Sequence, residues 1–576
     1  MKKEGYCHLI SEEAKALIQG KSRVWQEYPR PQMKRDSFYS LNGIWKCNGK
    51  DILIPFCPQA YLSGYGETKE EVFLYETSFH LSENWNKGRT LLHFGAVDQK
   101  ALVWLNGEFL GEHLGGYLPF SFDITKIVHG GENFLKVEAV DCLSLTYPYG
   151  KQSKKRGGMW YTPVSGIWQT VWLESVPETY IERIKITSGL TGIELEVFDN
   201  KKEEPGFMVE IFLPNGESLK KSFQGGYAKI DLQNLLEEEE KGILPILWSP
   251  DHPFLYTMRI YMKEDEVESY FALRTIEIKE IEEKNRVLLN GKPIFLHGIL
   301  DQGYFCDGIF LPALEEGYLD DIIKMKELGF NLLRKHIKIE PEAFYYFCDK
   351  IGMLVMQDMV NSGSYHFIKD TALPTIGLKR RRDYGKPVPK ERKEFFIRHT
   401  KETIEHLYNH PSIVAYTIFN EGWGQFESDY IYDKVKQWDP YRLIDSTSGW
   451  FWQKKNDFDS EHIYFKVKEL HPGKRPLLVS ECGGYAMKVE NHVYNEEKSY
   501  GYGKAETKEE LTKQILFMYE KMILPFIKMG VCGCIYTQLS DVEDEINGLY
   551  TYDRKICKVM KKEMKELAVR LQEELE

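Results

Sequence analysis

Long apolar runs are missing from this 576-residue chain: none approaches the roughly 18 successive apolar residues that a membrane span requires. The opening Met1-Lys2-Lys3-Glu4-Gly5-Tyr6-Cys7, followed by the polar Ser11-Glu12-Glu13-Ala14-Lys15, has no apolar h-region or cleavage site, so no signal peptide is expected. Cysteine is sparse, with 10 residues dispersed without paired spacing, the usage of a reducing cytoplasm. Cys532-Gly533-Cys534 is the one close pair. It lies in an apolar run with no second Cys/His cluster, so core packing is expected there rather than a metal or redox centre. Basic excess is also absent: the formal net charge of −12 argues against a nucleic-acid binder, which would need a basic face. No low-complexity tract suggests a disordered arm, and neither a cofactor nor a required metal is expected.

What is present is globular, 42% hydrophobic and 28% charged, and too long for one core, so about three domains are expected. Residues 1–180 read as short strands divided by turns. Phe73 to Leu81 alternates, and Ala101 to Leu105 runs into Asn106-Gly107, a strong hairpin signal. Many strands without a long helix predict a jelly roll or related sandwich. Residues 181–280 carry a smaller, evenly spaced set, including Ile193 to Val197 and Tyr256 to Tyr261, which fits an immunoglobulin-like β-sandwich. The acidic Glu237 to Lys241 between them reads as a solvated loop.

Over residues 281–576 the period changes. Apolar strand runs begin at Pro293, Asn331, Leu354, Ile413, Leu443, His462, Pro476 and Cys532, the sixth running to Phe465 and the last to Ser540. Between them lie helical patterns near Leu319–Leu328, Pro341–Ile351, Glu391–Tyr408, Ile431–Trp438, Leu511–Met529 and Lys555–Leu571. Strand–helix alternation of this length predicts a (β/α)₈ TIM barrel. An open doubly wound sheet fits less well, because no glycine-rich phosphate loop follows the first strand. Two of the strand runs, Ile413 to Glu421 and Pro476 to Glu481, close on a glutamate followed by glycine or Cys-Gly. Carboxylates at the C-terminal ends of barrel strands stand at the mouth where such folds do chemistry. A converging pair suggests glycoside hydrolysis.

Several motifs in order resemble glycoside hydrolase family 2, the group of β-galactosidases, β-glucuronidases and β-mannosidases. They are Tyr28-Pro29-Arg30-Pro31-Gln32, Leu41-Asn42-Gly43-Ile44-Trp45, Trp160 to Trp168, Leu289-Asn290-Gly291-Lys292-Pro293, Gly329 to His336, His410-Pro411-Ser412 leading to Asn420-Glu421, and Val479-Ser480-Glu481-Cys482-Gly483-Gly484. The resemblance runs from about residue 28 to the C-terminus and implies a retaining exo-β-glycosidase acting on a carbohydrate or glycoconjugate, with homo-oligomers common in the family. It implies Glu421 as acid/base and Glu481 as nucleophile, with the two carboxyl groups about 5–5.5 Å apart. Asn420 is implied as the donor to the sugar 2-hydroxyl. A catalytically inactive carbohydrate-binding relative is the rival reading.

Around this pair, Arg334 and His336 alternate onto one face of their strand, Arg334 suited to orient Glu481 and His336 to bond sugar hydroxyls. Asp301 and Asp358 end strands and are expected as hydroxyl acceptors or loop caps. His462 and Tyr464 end the sixth strand, where the resemblance implies a hydroxyl or ring donor near the nucleophile; Trp423 is expected to stack on sugar or pack in the core, and Gln538 is a further candidate contact. Family β-glucuronidases carry an Asn-x-Lys pair after the last strand, and the matching Glu545-Ile546-Asn547-Gly548 lacks the lysine. A neutral, galactoside-like hexoside is therefore expected, with a β-hexuronide as the alternative through Lys335 or Lys338.

Overall fold

The computed structural model describes residues 9–575 except 67, 240, 243, 376, 377, 379–381, 465 and 466. The N-terminal unit stacks two antiparallel sheets in the jelly-roll manner. One has four strands (Phe38–Ser40, Val171–Val176, Arg89–Phe94, Phe120–Asp123) and the other six (Lys50–Ile54, Gly43–Cys47, Val72–Leu81, Gly131–Val140, Lys100–Leu105, Glu108–Leu114). Their inner faces bury Trp45, Tyr75, Phe94, Val103 and Leu173. The Asn106-Gly107 turn takes φ of 52° and 86°, the left-handed pair a two-residue hairpin needs to match strand twist. The next unit packs a three-stranded sheet (Ile181–Ser188, Gly192–Asp199, Tyr227–Asp231) on a four-stranded one (Ser218–Phe223, Phe207–Phe212, Tyr256–Met262, Asp265–Phe271), as an immunoglobulin-like sandwich. Ile193, Leu195 and Val197, every second residue, enter its core.

The third unit is an eight-stranded parallel barrel: β1 Leu296–Asp301, β2 Leu332–Lys335, β3 Leu354–Asp358, β4 Ile413–Phe419, β5 Leu443–Thr447, β6 Asp459–Ile463, β7 Leu477–Gly483 and β8 Val531–Thr537. The spatial order is β5-β4-β3-β2-β1-β8-β7-β6. The β5–β6 seam is laced without a ladder: the Ser460 hydroxyl donates to Asp445 at 2.7 Å and the Asp457 amide to the Ile444 carbonyl at 3.0 Å. Every residue of β3, β4, β5, β7 and β8 is buried, the reason these runs read as continuous apolar stretches rather than alternating ones. Among the described residues no helix is long and apolar enough to cross a membrane.

Local differences from expectation have physical causes. The run from Pro293 splits: Lys292–Pro293 pairs in a small antiparallel sheet before β1 begins at Leu296. The sixth strand starts at Asp459 rather than His462, so Tyr464 lies just beyond it, and Phe465 falls outside the described residues. Strand β8 stops at Thr537, and Gln538 to Ser540 leave the ladder. The helix expected over Leu511–Met529 is α-helical only for Lys508–Met518, then passes through a π turn at Tyr519–Ile523 and a 3₁₀ turn at Leu524–Phe526. The last helix begins at Lys561 rather than Lys555, because residues 551–556 form a turn and the buried Lys558 ammonium is held by Asp541 and the Met487 and Ile546 carbonyls. Glu237 and Glu238 end a helix, Leu232–Glu238, rather than lying in a loop, and Glu240 is outside the described residues.

One buried carboxylate ties the second sandwich to the barrel. Asp349, on the helix Glu342–Ile351, accepts the Tyr270 hydroxyl at 2.7 Å, the His410 ring at 2.7 Å and the Ser412 amide at 2.8 Å. Tyr270 belongs to the sandwich and His410 to the turn that launches β4. Removing this acceptor leaves the buried Ser412 amide unmet and the Tyr270 hydroxyl and His410 ring with only their 3.3 Å contact to each other. We expect Asp349→Ala to cost about 3 kcal/mol in urea unfolding. Lys562→Ala, at an exposed helical pair with Glu566, should change stability by less than about 0.5 kcal/mol. Equal effects would show that the tie contributes nothing.

Candidate active site

The C-terminal mouth of the barrel is organised around Arg334 at the end of β2, a side chain with no exposure. All five of its N–H groups are used. Nε donates to Asp358 at 3.0 Å. Nη1 donates to the Ser480 carbonyl at 2.9 Å and to Glu481 at 3.1 Å, and Nη2 to Asn420 at 2.9 Å and the Ser448 hydroxyl at 3.2 Å. One guanidinium thus joins β2, β3, β7 and the residues following β4 and β5. Burial would lower its pKa, but the Asp358 and Glu481 carboxylates outweigh that and raise it.

Glu481 is turned inward by an irregularity in β7. One extra β7 residue is accommodated against β8 between Val479 and Cys482, and one against β6 between Glu461 and His462. A bulge of this kind re-aims a side chain locally. The Glu481 carboxylate accepts Arg334 on Oε1 and the Tyr464 hydroxyl on Oε2. Burial pushes its pKa up, but His462, Arg334, His336 and the Tyr464 hydroxyl together hold it down at about 2.

Glu421 lies two residues past β4, after Asn420, and takes a left-handed backbone, φ 51°, ahead of Gly422 at φ 70°. A non-glycine residue held there costs on the order of 1 kcal/mol or more, and such positions gather at working sites. A side chain on Gly422 would run into the Phe451 ring at 2.3 Å, so the tight turn past Glu421 requires glycine. The Glu421 Oε1 lies 2.8 Å from His462 Nδ1, and the other ring nitrogen of His462 lies 3.6 Å from Glu481 Oε1. One ligating atom each of Glu421, His462 and Glu481 lies within 4.8 Å of the other two. Among the described residues this is the one cluster spaced to hold a metal ion, and an ion there would sit between the two carboxylates.

The neighbours are set by the same network. Asn420 accepts Arg334 and the Ser448 hydroxyl on Oδ1, which fixes its amide flip and leaves Nδ2 without a described partner, free to donate. Asp358 bridges Arg334 and His336 rather than standing free, and both its partners draw its pKa down against burial. His336 meets Asp358 through Nδ1 at 2.8 Å, so its Nε2 is left for the cleft. Burial lowers the His336 pKa and favours the neutral ring. Asp301 is engaged elsewhere: it accepts the Lys335 ammonium at 2.6 Å and the Gly303 amide at 2.8 Å, capping the β1 loop. Gln538 is turned toward Asn547 at 2.8 Å. Trp423 is buried against Tyr149, Trp160 and Tyr365, with its indole N–H on the Tyr149 hydroxyl at 3.1 Å, and so packs the barrel rim against the jelly roll. Lys335 and Lys338, the proposed routes to an acidic sugar, are both already paired with protein carboxylates. Lys335 is held by Asp301 and Glu340, and Lys338 by Glu340 and two carbonyls. Sequence reasoning missed Ser448 and Tyr502, which stacks on Tyr464 with ring centres 4.3 Å apart. Ser448 could have been found by the strand-end logic used for Glu421; Tyr502 carried no such signal.

Comparisons with known proteins agree with this architecture. Residues 60–177 match the sugar binding domain of glycosyl hydrolases family 2, and residues 279–530 match the TIM barrel domain of the same family. A β-galactosidase of Leuconostoc mesenteroides is 26% identical over 406 residues, 67% of this chain and 36% of that protein. A putative β-glucuronidase of Formosa agariphila is 25% identical over 372 residues, covering 60% of this chain and 39% of that protein. The alignments thus span well under half the length of these relatives. Among solved structures, a Ruminococcus gnavus β-glucuronidase superposes with a TM-score of 0.73 at 18% identity, covering 95% of this chain and 99% of that one. A β-galacturonidase of Eisenbergiella tayi gives 0.64 at 19% identity, covering 95% and 98%. With both domain signatures in place, in order and on the expected fold, the chain belongs to glycoside hydrolase family 2.

Proposed function

We propose that this protein is a retaining exo-β-glycosidase that removes a terminal β-linked hexopyranoside through a covalent glycosyl-enzyme. The observation that carries the reading is the approach of Glu421 and Glu481 across the barrel mouth, with ligating oxygens within 4.8 Å of each other. That spacing suits direct attack on the anomeric carbon and leaves no room for an intervening water, which an inverting pair would need. Glu481, ionised and braced by Arg334 and Tyr464, attacks C1 as the C1–O bond to the aglycone breaks. Glu421 gives its proton to the departing oxygen. The resulting Glu421 carboxylate then takes a proton from water, whose oxygen attacks C1 and expels Glu481.

The surroundings support these roles. His462 anchors Glu421 Oε1, which fixes the carboxyl and leaves its other oxygen without a described hydrogen-bond partner. The Asn420 amide, oriented by Arg334 and Ser448, is placed to donate to the sugar 2-hydroxyl, a contact that strengthens as positive charge develops at C1. His336 offers Nε2 to another hydroxyl. The similarity to β-galactosidases and the missing lysine at 545–548 favour a neutral hexoside. A different observation, an unpaired cation from the jelly roll, favours a hexuronide and is taken up below.

On this reading Glu481→Gln abolishes turnover of every β-glycoside that the wild type cleaves, and NMR of fresh product shows the β-anomer first. Glu421→Gln slows substrates with poor leaving groups by roughly 10²- to 10⁴-fold but activated aryl glycosides far less, since only the former need the proton. Initial release of the α-anomer, or equal slowing across leaving groups, contradicts the assignment.

The low pKa of Glu481 also gives a pH dependence. Because the folded site favours the ionised carboxylate down to about pH 2, the nucleophile stays charged throughout the neutral and mildly acidic range. Arg334→Met removes a charge that lowers it, so the Glu481 pKa rises and the acid limb of kcat/KM moves to higher pH by about one unit or more. An acid limb that does not move shows that Arg334 does not control the ionisation of Glu481.

A further inference from the structure

We propose that Lys151, contributed by the jelly-roll unit, binds an anionic group on the sugar, the C6 carboxylate of a β-hexuronide, and so sets specificity for the glycosidase reaction proposed above. Lys151 is only 9% exposed, yet among the described residues its ammonium makes no hydrogen bond and lies within 4 Å of no carboxylate. The stem is packed away while the unpaired ammonium stays within reach of solvent, so an anion entering the cleft can pair with it without displacing a protein partner. The other buried lysines near the mouth, Lys335, Lys338 and Lys558, are all neutralised or saturated by protein oxygens. Lys151 is the exception.

Its position is built rather than incidental. Gly150, at φ 71°, packs so closely that a side chain there would lie 2.7 Å from the Tyr117 hydroxyl and 3.1 Å from the Ile337 carbonyl. Ile337 directly follows His336, so this contact docks the segment beside the end of β2. On the other side, Gln152 donates to Asp98 at 3.0 Å and accepts the Val164 amide at 2.6 Å. The Lys151 carbonyl accepts the Tyr161 amide at 3.1 Å. Tyr149 is pinned through its hydroxyl to the Gly363 carbonyl at 2.7 Å. With both flanks held, the Lys151 backbone is fixed at this point of the rim.

The ammonium lies at the rim of the catalytic cleft, near residues of the barrel mouth. The Lys151 ammonium lies 6.0 Å from the centre of the Trp423 ring, two residues past Glu421. Its charge is felt at His336, and at Glu545 it is the leading influence opposing burial. Glu545 attracts it without bonding it, since no hydrogen bond or ion pair joins the two side chains. That carboxylate is already taken by the Tyr161 hydroxyl and the Asn547 amide, at 2.9 Å for the latter. Glu545 to Gly548 is the same segment in which a uronate-binding lysine is missing from the sequence. The positive charge absent from the barrel loop is supplied there from another domain.

The test compares kcat/KM on 4-nitrophenyl β-D-glucuronide and β-D-galacturonide with the matching β-D-glucoside and β-D-galactoside, for wild type, Lys151→Met and Lys151→Arg. The wild type should prefer one uronide over its neutral counterpart. Lys151→Met should lower that preference by roughly ten- to a hundred-fold, the worth of one charged hydrogen bond, and Lys151→Arg should restore part of it. A second measurement keeps Lys151 in place: calorimetry of Glu481→Gln with free glucuronate and galacturonate against glucose and galactose. Tighter binding of an acid, lost in the Glu481→Gln/Lys151→Met double variant, supports the proposal. Preference for a neutral glycoside, or equal loss on both substrates in Lys151→Met, overturns it while leaving the glycosidase reading intact. Acid binding through Lys151 with no β-glycoside cleaved would do the reverse.

Discussion

Five hydrogen bonds from one buried guanidinium hold the mouth of this barrel together. Arg334 reaches Asp358, the Ser480 carbonyl, Glu481, Asn420 and Ser448 at once, so no donor is left over and no neighbour can shift alone. Its charge has two effects that a neutral donor could not combine. It keeps Glu481 ionised in a buried place, and it lets Asp358 stay charged beside it and orient His336. Burial of so many polar groups is tolerable only because the network is complete. The site is rigid for the same reason that it is polar.

The two carboxylates reach this point by different local means. Glu421 arrives by backbone strain, a left-handed residue closing β4 against a glycine that leaves space for Phe451. Glu481 arrives by a bulge within a fully buried strand. His462 lies between them, 2.8 Å from one carboxylate and 3.6 Å from the other. The jelly roll then completes the cleft from outside the barrel. Tyr149, Trp160 and Lys151 project from one short stretch of it onto the rim, where Trp423 meets the two aromatic rings edge-on. The N-terminal unit is therefore a wall of the candidate site as well as a domain with its own core.

Much of this was legible in the residues. Continuous apolar runs ending in Glu421 and Glu481 gave away buried parallel strands and their mouth-facing ends, and the alternation of Arg334 and His336 put both on one face. Asp301 followed the same rule but is consumed by Lys335, an outcome decided by a side chain that periodicity places on the opposite face of the neighbouring strand. The bulge at Ser480 and the π turn at Tyr519 leave no periodic trace, because each depends on how neighbouring elements pack. Lys151 was illegible for a stronger reason. It lies in a loop nearly two hundred residues before β2, and only the docking of Gly150 against Ile337 brings it to the cleft.

The central claim is that Glu481 becomes covalently joined to the sugar. The direct measurement is peptide mass spectrometry of the enzyme after inactivation by the 2-deoxy-2-fluoro β-glycosyl fluoride of whichever sugar it cleaves. The account predicts one fluoroglycosyl adduct, on the peptide containing Glu481 and on that side chain. An adduct on Glu421 or another carboxylate, or turnover of the reagent with no adduct at any time, would contradict it.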